Sequence, residues 1–85
     1  MSTPPASAFH RYTVLVDYDP AVDAYIAYVP VLGLTTQGDL LEHAYEMARE
    51  IIELTLKSAA EDGEELPVEH GLNIRQIDVL DPVSV

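Results

Sequence analysis

The tetrad Gly38-Asp39-x-x-Glu42, followed at once by a periodic apolar run, constrains this chain more than any other stretch. Asp39 and Glu42 have the spacing of a capping box, with Asp in place of Ser or Thr. The Asp39 carboxylate would accept from free N–H groups of a first helical turn, and Glu42 would reach back to the Asp39 N–H. Both acids would also sit at the positive end of the helix dipole. Gly38 permits a positive φ or a close approach to the sheet. Gly38, Asp39 and Glu42 are therefore read as a structural helix cap. A helix is expected from about Leu40 to Ala60, with Gly63 as its C-terminal cap.

The helical period sorts the residues that follow. Leu41, Ala44, Tyr45, Ala48, Ile52, Thr55, Leu56 and Ala59 fall on one stripe, and Glu42, Glu46, Arg49, Glu50, Glu53, Lys57 and Glu61 fall opposite. Leu40, Met47, Ile51 and Leu54 widen the stripe on one side. Leu40, Met47 and Leu54 recur at every seventh position, which makes them a candidate oligomer contact. The alternative is that sheet curvature buries them within one chain.

Ahead of the helix, Arg11–Asp17 (RYTVLVD) is expected to be a strand, with Tyr12, Val14 and Val16 on one face and Thr13 and Leu15 on the other. Apolar residues on both faces imply a central strand covered on both sides. Tyr18–Asp23 is a turn around Pro20, and Ala24–Val29 is the return strand of a hairpin, ended by Pro30. Leu34–Gln37 is a short third strand at an edge. After the helix, the acidic connection Glu61–Glu69 leads to an expected fourth strand, Leu72–Val79. Its apolar phase changes between Ile74 and Ile77, as at a bulge. The expected fold is α+β with order β-β-β-α-β: a three-stranded antiparallel meander, a right-handed crossover helix, and a fourth strand parallel to the first. Residues 1–9 are expected to form a disordered arm, and residues 10–85 a single domain.

Composition narrows the functional classes. The chain has 85 residues, 48% of them hydrophobic, which suits one small folded domain. The absence of cysteine excludes disulfides, thiolate nucleophiles and Cys-based zinc sites. Fifteen acids against four bases give a formal charge of −11, so direct binding to a nucleic-acid backbone is not expected. A basic protein partner would be drawn in by the same field, although such a charge also serves solubility alone. No apolar run is long enough to span a bilayer, and the N-terminal residues lack a signal-peptide pattern. The expected location is the cytoplasm, with no membrane association. A domain this small buries barely enough apolar area to offset its chain entropy, which favours oligomerisation.

Sites of chemistry are sparse. His10, His43 and His70 are far apart in sequence and lack ligand spacing, so neither a metal nor another cofactor is expected. No phosphate loop or nucleophile elbow is present. The order β-β-β-α-β does open the ribonuclease H-like fold, in which Asp17, a helix Glu and Asp78 or Asp81 could hold Mg²⁺ for phosphodiester cleavage. However, the helix acids lie opposite the apolar stripe, away from such a centre. The chain is therefore read as a non-enzyme, with the Mg²⁺-dependent nuclease a remote alternative. Asp17, Asp19 and Asp23 near the hairpin turn, with Glu46, Glu50 and Glu53 on the helix, are the candidate partner-binding acids. Glu42 belongs to the same exposed helix face.

From Tyr25 to Gly63 the pattern YIAYVP-x-LG-x-TTQGD-x-x-E-x-A-x-x-x-AREIIEL, with the exit EDGEELP, resembles the HicB family of antitoxins from toxin–antitoxin pairs. The matching positions are Pro30, Gly33, Thr36, Gly38, Asp39, Glu42, Ala44, Ala48 and the Gly63 to Pro67 exit. The resemblance covers most of residues 11–80, while Val31, Leu32, Leu34 and Leu40 depart from the family pattern. The resemblance implies a partial ribonuclease H-like fold without nuclease activity. It also implies a basic HicA-like toxin partner that cleaves mRNA, and assembly as a homodimer or homotetramer. Many members continue into a DNA-binding segment. The residues to Val85 contain no such pattern, so direct operator binding is not expected. An orphan oligomeric binding or assembly module on the same fold is the alternative.

Overall fold

The computed structural model describes residues 9–83. The expected disordered arm, apart from Phe9, lies outside the described residues. Three strands form one antiparallel sheet: β1 (Leu15–Asp19), β2 (Ala24–Val29) and β3 (Leu34–Gly38), in the order β1-β2-β3. The register sets Leu15 opposite Tyr28, Tyr18 opposite Tyr25, and Val29 opposite Leu34. Pro30 lacks an N–H and ends β2. A single 3₁₀ turn, Pro30–Leu32, closes on Gly33, whose φ of 65° turns the chain into β3. The helix α1 then runs from Leu41 to Asp62.

The two-residue period of the strands decides which side chains meet the helix. Val16, Tyr25, Ala27, Val29 and Leu34 join Ala44, Ala48 and Ile52 in one cluster, with Tyr12 and Val14 from the approach to β1. Small residues dominate this core. Ala27, Ala44, Ala48 and Val29 are fully buried, and Val29 is the largest of them. The opposite face of the sheet carries the register partners Leu15 and Tyr28, both left exposed. The fold is α+β, a three-stranded antiparallel sheet under one helix.

Two expectations about the strands are corrected. The first strand begins at Leu15, not Arg11, and lies at an edge with one face covered; β2 is the central strand. Among the described residues no fourth strand forms, so no strand runs parallel to β1. After α1 the chain returns beside the approach to β1, where the Tyr12 hydroxyl donates to the Pro67 carbonyl at 3.0 Å. Glu69 binds Thr13 through both carboxylate oxygens, at 2.7 Å each. Gly71, at φ 120°, then adopts a conformation that L side chains rarely take, and residues 72–80 continue exposed without a ladder partner. The radius of gyration is 17.0 Å, against about 12 Å for a compact chain of this length. The principal extents are 65, 28 and 27 Å.

Candidate protein-interaction surfaces

The helix start differs from the expected capping box, and the difference is one of register. The N-cap is Leu40, at φ −128° and ψ 160°, and no side chain caps the turn. The first helical hydrogen bond runs from the Ala44 N–H to the Leu40 carbonyl at 2.9 Å. Counting from Leu40, the third helical position is His43, not Glu42. Accordingly, the His43 Nδ1 accepts from the Asp39 N–H at 3.3 Å, the bond assigned above to Glu42. Glu42 remains in the first turn, where the helix dipole favours its charge.

Gly38 explains the shift. It is still a residue of β3, paired with Tyr25, when the helix passes over it. A Cβ at Gly38 would lie 2.5 Å from the Ala44 nitrogen and 2.8 Å from the Ala44 Cα. The backbones of strand and helix therefore touch, and Asp39 and Leu40 make the turn between them. At the other end the expected Gly63 cap is present. Gly63 has φ 68° and donates to the Ala60 carbonyl at 3.3 Å, and the Glu64 N–H donates to the Ala59 carbonyl at 2.8 Å. These two bonds form a Schellman motif.

The six candidate partner-binding acids divide between two surfaces. Glu46, Glu50 and Glu53, with Glu42, are exposed on the outer side of α1. Asp17 is exposed on β1 and pairs in register with Ile26, on the sheet face turned away from the helix. Asp19 and Asp23 are engaged in holding the hairpin turn. The Asp19 Oδ1 accepts from the Ala21 N–H at 2.9 Å, and the Asp23 Oδ1 accepts from the Tyr18 hydroxyl at 2.6 Å. Asp23 itself has φ 50°, a left-handed conformation that Asp tolerates better than most residues. The bond to Asp23 is the largest cause that raises the Tyr18 phenol above its ordinary value of 10.0. Partial burial and the charges of Tyr25 and Asp19 add to it. The Tyr25 ring packs on Tyr18 with centroids 5.2 Å apart.

Of the candidate oligomer contacts, Leu40 and Leu54 are 69% and 67% exposed and Met47 is half-buried. A further apolar feature had no sequence signal. A groove of about 720 Å³ opens between the approach to β1 and the second half of the helix, lined by Tyr12, Val14, Tyr45, Ile52 and Leu56 among others. The Thr13–Glu69 pair beside it was equally illegible, because the residues stand 56 positions apart and neither lies in a motif. Asp17 lies on β1, whereas Asp78 and Asp81 lie beyond Gly71. Among the described residues no three His, Cys, Asp or Glu side chains are grouped to hold a metal ion. Among the same residues no helix is long and apolar enough to cross a membrane.

No family model matches the chain, and no solved structure is significantly similar to it. A curated relative is similar: a UPF0150 protein of Thermotoga maritima, 32% identical over 69 residues that cover 80% of this chain and 88% of the relative. At that identity and coverage, the chain belongs to the UPF0150 family.

Proposed function

We propose that this protein is a HicB-like antitoxin, a non-enzymatic cytoplasmic protein that binds and masks a basic HicA-like mRNA-cleaving toxin. The observation that carries this reading is the exposure of Glu42, Glu46, Glu50 and Glu53 on one side of α1, where they outnumber the bases Arg49 and Lys57, in a chain of net charge −11. A row of carboxylates on a rigid helix presents negative potential at fixed spacing, which suits a surface built to hold RNA phosphates. The partial ribonuclease H-like assignment is supported by the three-strand meander passing directly into a long helix.

The test is titration of this chain with the short basic protein encoded beside its gene, at about 50 mM and about 500 mM salt, where screening lengths differ several-fold. Affinity should fall at least tenfold as salt rises, and it should fall further in the E46Q/E50Q/E53Q variant. Binding that stays flat with salt, or that ignores the triple variant, rejects masking through the helix face. If no such basic protein is encoded or bound, the orphan assembly module becomes the better reading. The thin alanine core and the uncovered apolar segment after Gly71 favour that alternative.

A further inference from the structure

We propose that residues 72–80 form an exchange arm, which leaves its own domain at Gly71 and completes the sheet of a second copy of this chain. The arm would lie along the free edge of β1 and over the groove beside it.

The arm, LNIRQIDVL, carries its apolar side chains into solvent. Ile74 is 69%, Ile77 74%, Val79 81% and Leu80 91% exposed. Its β-branched content suits a strand, and its apolar phase, which changes between Ile74 and Ile77, suits one that carries a bulge there. Nothing else among the described residues covers it. The segment is also electrically suited to meet a copy of a strongly acidic chain. Residues 72–80 contain one base, Arg75, and one acid, Asp78, whereas Glu61–Glu69 just before them is dense in carboxylates.

The receiving site is present on every copy. β1 ends the sheet, so one side of Leu15–Asp19 offers unpaired backbone groups, the usual template for strand addition. The helix lies chiefly over β3 and β2 and reaches β1 least, which leaves the groove lined by Val14, Tyr45, Ile52 and Leu56. A strand added beside β1 would set alternate side chains into that groove. Such a layer would add large apolar side chains to a domain whose fully buried side chains are alanines and Val29.

The geometry at the arm's root favours a second copy over closure onto the same one. Glu69 is fastened to Thr13, and Gly71, two residues later, turns the chain at φ 120°, after which the residues lie exposed. Reciprocal exchange also closes as a two-fold dimer with no leftover edge of this kind. Each arm would bury on the order of 500 Å² of side chain. Counting both arms and the surfaces they cover, the contact exceeds the roughly 1,200 Å² of a stable interface.

The decisive experiment uses the full chain, half of it ¹³C,¹⁵N-labelled and half unlabelled, refolded together. Filtered NOE spectra should show contacts from the Ile77 and Val79 methyls of one copy to the Val14, Ile52 and Leu56 methyls of the other. Light scattering should give twice the 9.4 kDa chain mass. The I74D/I77D variant changes only residues exposed in the single chain, so the helical circular-dichroism signal of α1 should persist while the dimer dissociation constant rises about 100-fold. A wild type that stays monomeric, arm contacts found only within one copy, or a dimer indifferent to I74D/I77D would each overturn the proposal. None of these readouts involves a toxin, so they stand or fall separately from the antitoxin reading.

Discussion

Glu69 grips Thr13 with both carboxylate oxygens, one on the backbone N–H and one on the hydroxyl, each at 2.7 Å. This contact joins the approach to β1 to the segment that follows the helix, 56 residues later. Hydrogen bonds to a charged acceptor contribute about 1.5–3 kcal/mol each, less where solvent reaches them, as it does here. Glu69→Ala should therefore destabilise the domain by about 2–3 kcal/mol in urea unfolding. Thr13→Val, which keeps the N–H, should lose about 1 kcal/mol. The double variant should lose less than the sum of the two, and strict additivity would show that the residues do not interact.

That pair marks where sequence reasoning stops. The hairpin, the short third strand, the helix and its Gly63 end were legible, because each rests on local chemistry: β-branched alternation, Pro30, the helical period, and glycine at a left-handed position. The spacing of Asp39 and Glu42 points to a cap one residue before Leu40, whereas the helix start is set by Gly38 lying against Ala44. The sequence could not reveal that contact. Leu72–Val79 reads as a strand by composition, yet strand formation needs a neighbour, and composition does not say which chain supplies it. The candidate acids were legible as charges. Their division between the helix and the hairpin side depends on tertiary packing.

Gly38 and Gly33 should respond differently to alanine. A Cβ at Gly38 meets backbone atoms of Ala44 at 2.5 and 2.8 Å, and backbone cannot swing aside. Gly38→Ala should cost at least about 3 kcal/mol, the upper range for overpacking, or prevent folding. A Cβ at Gly33 meets nothing within 4 Å, and only its φ of 65° resists substitution. Gly33→Ala should cost about 1–2 kcal/mol. Equal losses in chemical denaturation would contradict the close approach at Gly38.

Leu40 occupies the N-cap with extended backbone angles, 69% exposed and with no side-chain acceptor to offer. Leu40→Ser should supply one and stabilise the helix start by about 1 kcal/mol. In a domain of this size that raises the melting temperature by about 4–8 °C. Asp39→Ala, one position before the cap, should change stability by less than about 0.5 kcal/mol. A loss near 1 kcal/mol at Asp39 would restore the capping box to Asp39. Light scattering on Leu40→Ser also tests the expected role of Leu40 in oligomer contact. A stabilised domain of unchanged mass would remove Leu40 from that contact, and a lowered mass would keep it there.

The Tyr18 phenol should titrate late, and the sign of its effect on stability follows. The bond to Asp23 binds the proton more tightly in the folded chain, so the folded value lies above the unfolded one. The stabilisation from this pair is then fully present below the unfolded value, about 10, and is lost as pH rises through the higher folded value. Stability should decline on the alkaline side, and Tyr18→Phe should reduce the part of that decline due to this group. Asp23→Asn keeps a residue that tolerates the left-handed φ of 50° but removes the charged acceptor. In phenolate absorbance at 295 nm, the variant should therefore bring one tyrosine midpoint down toward its ordinary value. Because Asp23 is the largest contributor to the shift, a tyrosine titration unchanged by Asp23→Asn would show that the hydroxyl does not bond there in solution.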